Sequence, residues 1–327
     1  MREKTLYFSL FLSLIIFLPV IFWNINHEFI SFAYQGERVK LFQSVINLDY
    51  FGTELLGQVF YNNPVNFIII IFALAAVVRK RQFISKPNLR LLLLLSLPLI
   101  FVFLVFSLFR QTLPHWTGPG YFGLILIAAA YMDELSEIKG SKSKIPFAIQ
   151  ISLYFLMIIL ILGIGQIRQG WIYHDRSTDP KQLGKNDISL DLYGWKQLGR
   201  KFIEFKEESL MNRNIPPDLP IVSYRWFPAA NLDYYVARPT GTYVLAIGNL
   251  EKIHKYAWIN KKRGGFRIGM DAFYIAFSRD YKDPYELFSS YFKSIEPLDT
   301  IHITRGDEIV MNAFVYYLKD LQVIPNQ

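Results

Sequence analysis

The sequence predicts a polytopic, mainly α-helical membrane domain followed by a small α/β or α+β extracytoplasmic domain. Three observations lead there. Of the 327 residues, 52% are hydrophobic and 17% aromatic, and the mean hydropathy is +0.22, too apolar for a soluble chain of this length unless lipid is one of its solvents. The apolar residues are unevenly spread: 1–165 reads as apolar runs separated by short polar loops, whereas 166–327 has ordinary globular composition. The basic residues of the first part gather at the ends of those runs, where charge sets topology.

About five spans are expected, over residues 6–23, 65–78, 91–109, 119–132 and 146–165. The first follows Met1-Arg2-Glu3-Lys4 and lacks a small-residue cleavage site before Phe22-Trp23-Asn24, so it reads as a retained span and not a secretion signal. Residues 24–63 form a long aromatic-rich stretch whose apolar pieces, 41–48 and 55–60, are too brief to cross a bilayer of roughly 30 Å; interfacial or re-entrant helices are expected there. Pro64 is a good first-turn residue for the second span, which stops at Arg79-Lys80-Arg81. Pro98 kinks the third, and the fourth, opening near Pro119 or Tyr121, is short.

With the N-terminus in the cytoplasm, the inner segments hold Arg2, Lys4, Arg79, Lys80, Arg81, Lys86, Arg90, Lys139, Lys142 and Lys144, against Arg38, Lys40 and Arg110 outside. This is the positive-inside pattern, and five spans then place the C-terminal domain outside. The net charge of +8 is therefore topological and implies no nucleic-acid partner. Absence of cysteine excludes disulfides and thiolate chemistry.

In the outer domain, 193–211 has helical spacing, Ile215-Pro216-Pro217 breaks it, 219–224 and 242–247 read as buried strands, and 231–237 as a short helix between them. Further strands are expected at 272–277, 299–304 and 309–317, the last also compatible with a helix, with a turn at Gly264-Gly265.

The sequence contains no Gly-x-Gly-x-x-Gly, P-loop, Gly-x-Ser-x-Gly or His-Glu-x-x-His motif, and the five histidines are too scattered to argue a metal site. Two polar, aromatic clusters remain at the outer membrane face. The first runs from Trp23 to Arg38: on pattern alone it reads first as an interfacial aromatic belt with polar residues facing water, and otherwise as a lid in which Arg38 could meet a phosphate and Gln35 or His27 hydrogen-bond a sugar. The second is Arg110-Gln111-Thr112-Leu113-Pro114-His115-Trp116-Thr117-Gly118-Pro119-Gly120-Tyr121. Lipid cannot satisfy such a Pro/Gly-rich backbone, which must be buried in protein or line a wet cavity; Arg110 either snorkels or contacts phosphate. In the outer domain, Tyr224-Arg225-Trp226-Phe227-Pro228 and Asp233-Tyr234-Tyr235 read as core or as a sugar-stacking surface. The outer-facing acids near the membrane are Glu28, Glu37, Asp49 and Glu54, none of them in a recognisable catalytic motif, and no span carries an interior ionisable residue of the kind that marks an ion path.

Pro19 with Trp23-Asn24, His27, Ser31-Phe32, Gln35 and Arg38 resembles the mid-chain motif of bacterial family-39-type glycosyltransferases, GT-C enzymes that are dolichyl-phosphate-mannose protein mannosyltransferase-like and related to the aminoarabinose transferase of lipid A. Leu113-Pro114-His115-Trp116-Thr117-Gly118-Pro119 with Tyr121 is similar to that family's later Asn/His-Trp-x-x-Pro-x-Tyr loop. Tyr193-Gly194-Trp195, residues 225–235, and Gly269 with 271–275 extend the likeness into the outer domain. The resemblance implies an enzyme of the bacterial inner membrane that transfers a sugar from a polyprenyl-phosphate donor to a lipid, glycan or protein acceptor on the outer side. His27, Gln35, Arg38, Arg110, His115, Trp116 and Tyr121 are its candidate substrate-binding residues. It implies no certain cofactor and leaves room for a divalent cation. The likeness covers only the second half of such enzymes, whose first outer loop carries the catalytic acids. The chain is therefore expected to be a C-terminal portion, inactive without an upstream-encoded N-terminal half. The alternative is a non-catalytic, membrane-anchored glycan- or partner-binding protein.

Overall fold

The computed structural model describes residues 4–32, 36, 45–138, 145–173, 175, 177–213, 215–216 and 218–325. Gln35, Arg38, Glu37 and the inner-loop residues Arg2, Lys139, Lys142 and Lys144 lie outside the described residues. The chain divides into two compact units, Met1–Met157 and Ile158–Gln327.

The first unit is helical: α1 (Lys4–Ile25), α2 (Leu48–Tyr61), α3 (Pro64–Val78), α4 (Lys86–Ser107), α5 (Gly118–Ile138) and the start of α6 (Phe147–Gln169). Each expected span is a helix, but the count of spans needs correction. Three helices, Tyr7–Ile25, Lys86–Ser107 and Phe147–Gln169, are long and apolar enough to cross a membrane, and the bent pair α2–α3 makes a fourth if it counts as one broken span. The 15 residues of α3 rise only about 22 Å, short of a bilayer core. In α5, Gly118-Pro119-Gly120-Tyr121 at one end and Asp133, Glu134 and Glu137 at the other leave an apolar middle, 122–132, too short to qualify. The apolar surfaces of α1 and α6 are almost wholly uncovered by protein, with 6% of each window buried, as expected of surfaces built for lipid.

Two asparagines shape the bend. The Asn47 side chain caps α2 by accepting from Asp49 N and Tyr50 N. Asn63, at φ 61°, accepts from Val65 N, with Pro64 in the first turn of α3. Its amide also donates to the carbonyl (3.0 Å) and Oγ (2.9 Å) of Ser152 on α6, whose hydroxyl donates to Asn66. α3 and α2 thus meet at 98°. α5 lies against α4 because Gly120 and Gly123 let the backbones approach: a Cβ at Gly120 would stand 2.9 Å from the Ser96 carbonyl oxygen, and one at Gly123 the same distance from that of Leu92. Ile69, Ile70, Ala73, Ile100, Leu124 and Ile127 fill the space between. An Arg81–Glu134 ion pair (2.8 Å) ties the end of α3 to the last turns of α5.

The second unit is α/β, with a mixed five-stranded sheet of order β2-β1-β3-β5-β4. Its strands are β1 (Ile221–Ser223), β2 (Val244–Ala246), β3 (Ala272–Phe277), β4 (Phe292–Arg305) and β5 (Glu308–Leu321). β1 runs parallel to β2 and β3, while β5 is antiparallel to both β3 and β4. Both sheet faces are covered, so β3 is buried throughout and its side chains alternate between two cores. Phe273, Ile275 and Phe277 join Leu198, Phe202 and Phe205 of α7 (Trp195–Arg213); Ala272, Tyr274 and Ala276 join Phe288, Phe292 and Leu318. Segment 309–317, open to either assignment in the sequence, is strand.

Two edges end the sheet. On β2, Ala246 N–H and C=O pair with the amide of Asn260 (3.0 and 2.8 Å), and the Val244 carbonyl accepts from Arg263, both on α10 (Tyr256–Lys262) or just after it. α10 follows the single turn α9 (Leu250–Ile253). At the opposite edge, β4 carries irregularities at Pro297/Asp299 and Ile303/Thr304.

Helix α8 (Trp226–Leu232) runs on into a π-helical turn, Asp233–Ala237. That turn aims the Tyr235 carbonyl at α7, where a Cβ on Gly199 would stand 2.0 Å from the oxygen. Gly199→Ala is therefore expected to cost about 1–3 kcal/mol by overpacking, seen as faster amide exchange in α7 and α8. Wild-type protection in both helices would show that they separate freely and remove this account.

The second unit also contains a buried ion pair. The Arg305 guanidinium, with 0% side-chain exposure, donates to Asp187 (2.8 Å) and Ser189 (3.1 Å) and lies 4.9 Å over the Tyr193 ring. Gln166 near the end of α6 reaches the same group, donating to Ser189 Oγ (3.3 Å) and the Tyr173 carbonyl (3.0 Å). Burial alone would raise the Asp187 pKa, but hydrogen bonds from Ser189 and Arg305, with the Arg305 charge, outweigh it and hold the carboxyl below its ordinary value.

Candidate functional site

One end of the helical unit carries a buried polar network inside an otherwise apolar bundle. Glu54 and Gln58, four residues apart on α2, project from one face into the bundle and are 1% and 2% exposed. Gln58 Nε2 donates to Glu54 Oε1 (3.0 Å), and Thr112 Oγ1 donates to Glu54 Oε2 (2.7 Å). Tyr121 on α5 donates its hydroxyl to Gln58 Oε1 (2.7 Å), so a continuous chain runs Tyr121, Gln58, Glu54, Thr112. A carboxylate so enclosed in an apolar bundle is a candidate functional group.

The loop that supplies Thr112 is built to approach α2 closely. Leu108 accepts from Asn47 N (2.7 Å), joining the end of α4 to the start of α2. Pro114–Thr117 forms a 3-10 turn closed by Thr117 Oγ1 donating to the Pro114 carbonyl (2.8 Å), with Thr117 fully buried. The Pro114 ring rests on Gly57, where a Cβ would lie 2.2 Å from its Cγ, so Gly57 is the residue that admits the loop. Within this stretch Thr112, Thr117, Gly120 and Tyr121 are buried, while Gln111, Leu113, His115 and Pro119 are exposed.

His115, Trp116 and Tyr121 are brought to this end together. His115 is exposed, its ring 6.0 Å from Tyr61 and 6.4 Å from Trp116, which is half-buried against Phe103 at 5.7 Å. Arg110 is half-buried at the foot of the same loop, its backbone N donating to Phe106 (3.0 Å). His27 is held differently: its ring stacks on Trp23 at 4.1 Å and Nδ1 meets the Trp23 carbonyl at 2.7 Å. Beside it Asn24, 1% exposed, ties the end of α1 to Ser31 N (3.3 Å). Among the described residues, the hydrogen-bond chain of Glu54 does not extend to His27.

Glu54, read from the sequence as an acid near the outer face, is enclosed because α2 packs against α4 and the 108–117 loop. Among the described residues no group of three or more His, Asp or Glu side chains could hold a metal ion. Both oxygens of Glu54 accept from N–H and O–H donors, a hydrogen-bonding set that does not fit a divalent cation, so no step is derived through one.

In the second unit, most residues carrying the family likeness are structural. Trp195 Nε1 donates to the Asp191 carbonyl (2.8 Å) and its ring packs on Phe227 and Phe277. Asp271 accepts from Tyr317 and from Asp320 N, and Gly269 N donates to the Leu321 carbonyl (2.9 Å). The crevice beyond the C-terminal ends of β1 and β3, the switch point of the sheet, holds a cavity of about 30 Å³. Ion pairs Arg225–Asp280 and Arg279–Asp191 close it. Comparison with protein families, curated proteins and solved structures returns no match.

Proposed function

We propose that this chain is the C-terminal portion of a membrane glycosyltransferase that transfers a sugar from a polyprenyl-phosphate donor to an acceptor at the outer face, together with an upstream-encoded N-terminal half. The observation that carries the reading is the buried carboxylate of Glu54, bound into a Pro/Gly loop that presents His115 at the end of an apolar bundle. Glycosyl transfer to a hydroxyl needs a proton acceptor, and a carboxylate orientated by neighbouring donors is suited to that task. Thr112, whose hydroxyl donates to Glu54, is the relay between an acceptor hydroxyl and the carboxylate. Arg110 and His115 are the groups for the donor phosphate.

Orientation follows from charge. Arg79, Lys80, Arg81, Lys86 and Arg90 lie at the ends of α3 and α4 remote from this network, which by the positive-inside pattern supports a cytoplasmic side for them and an outer-leaflet side for the network. The test is co-reconstitution of the chain with its upstream multi-span polypeptide in vesicles, following radiolabelled sugar from polyprenyl phosphate. Transfer that needs both polypeptides and is lost in His115→Ala supports the reading. Absence of transfer while both accumulate in the membrane overturns it.

A further inference from the structure

The second unit holds a cleft that the transfer reading leaves unused. It measures about 870 Å³ and lies between α8 and α10, with room for a ligand of a few sugar rings. One wall is a stripe at four-residue spacing, Trp226, Ala230, Tyr234 and Arg238, all exposed. Trp226 and Tyr234 are 44% and 60% exposed and flank Ala230, whose single methyl leaves a gap between the rings. The sequence run that supplies them splits its aromatics: Phe227 packs against the core, while Trp226 and Tyr234 do not.

The Trp226 ring of this wall is held in place by His254. His254 has φ 48° and ψ −127°, a backbone region that disfavours side chains, and its ring stacks on Trp226 at 5.3 Å and 28°. Its N–H donates to the Leu250 carbonyl (2.8 Å), closing α9. At the base, Asp233 accepts from Tyr256 (3.0 Å) and from both terminal nitrogens of Arg263 (3.0 and 2.8 Å). Arg263 is anchored in turn on Val244. Arg238 lies over the Tyr234 ring at 5.8 Å, and Lys255 stands exposed at the rim. The lining thus sets Arg238, Lys255 and Arg263 against one carboxylate, Asp233.

Exposed aromatic faces separated by a small residue suit the C–H faces of pyranose rings, and an excess of cations over a rigid base selects an anionic substituent. We infer that this cleft binds an anionic saccharide, one whose rings stack on Trp226 and Tyr234 while its carboxylate or phosphate meets Arg238 and Lys255. The inference does not rest on the transfer reading, since it concerns residues of the other unit.

The experiment titrates the full chain, in a nonionic detergent without a sugar headgroup, with digalacturonic acid, glucose 1-phosphate and neutral cellobiose, reading saturation-transfer NMR. Saturable binding of at least one anionic probe, with cellobiose about tenfold weaker or more, is expected. The digalacturonic and phosphate arms separate a uronic acid from a sugar phosphate. Trp226→Ala and Tyr234→Ala should each abolish saturable binding, and Arg238→Ala should erase the preference for anions. All three residues are exposed, and circular dichroism with amide exchange establishes that the variants stay folded. No saturable binding of either anionic probe, binding unmoved by the aromatic variants, or equal affinity for cellobiose would each overturn the inference.

Discussion

Arg305→Ala is expected to destabilise the C-terminal unit by roughly 3–5 kcal/mol, the cost of leaving one member of a buried ion pair without its partner. Asp187 would stay enclosed, with Ser189 and the more distant Gln166 amide near its carboxyl oxygens, and the stacking of the guanidinium on Tyr193 would be lost too. Denaturant unfolding of the full chain, read by amide exchange in β4 and β5, measures it. The double variant Asp187→Leu, Arg305→Met should recover most of the loss, because it removes both charges together. Acid gives an independent check. The Asp187 pKa is depressed in the folded state, so its contribution is complete at pH above the ordinary aspartate value of 3.8 and is lost as pH falls through the lower folded value. Stability should therefore decline in that acid range, with a smaller decline in Asp187→Asn. An identical acid limb in that variant would assign the pH dependence to other groups.

Glu54→Gln is expected to lower transfer in the reconstituted system by about 10²- to 10⁴-fold, the usual contribution of a positioned base. The substitution keeps the side-chain length and an oxygen for the Thr112 hydroxyl, so the 108–117 loop should stay seated and polyprenyl-phosphate binding should be retained. Thr112→Val tests the relay: it deletes the hydroxyl that donates to Glu54 Oε2, and should lower turnover with little change in donor binding. Turnover within a few-fold of wild type in Glu54→Gln would return the carboxylate to a purely architectural part.

The helices of the first unit were legible because apolar runs bounded by Arg, Lys, Pro or Asn define their own ends; residues 65–78 fall almost residue for residue on α3, and 146–165 on α6, which continues four residues further. Helix α2 was harder to read. Short interfacial or re-entrant helices were expected over 24–63, but Gly52 and Gly57 weaken the helical pattern, so the extent of α2, from the Asn47 cap to Tyr61, was not read. β3 was legible to the residue, since a strand buried on both faces is a continuous apolar run. Segment 309–317 was ambiguous because what makes it a strand is pairing on both sides, with β3 and β4, which no local pattern encodes. Of the site, His115, Trp116 and Tyr121 were found as one consecutive motif. The link to Glu54 was not, because Thr112 is 58 positions away and only the bend at Asn63 brings the two together.

The two borders of the sheet carry a last consequence. Copies of a membrane-anchored protein are confined to a plane, where local concentrations are high and any open strand invites another. Here the outward peptide groups of β2 are already engaged by Asn260 and Arg263, while β4 interposes Pro297, two register breaks and the exposed charges Lys293, Glu296 and Asp299. Both borders are thus blunted against edge-to-edge pairing with a neighbouring copy.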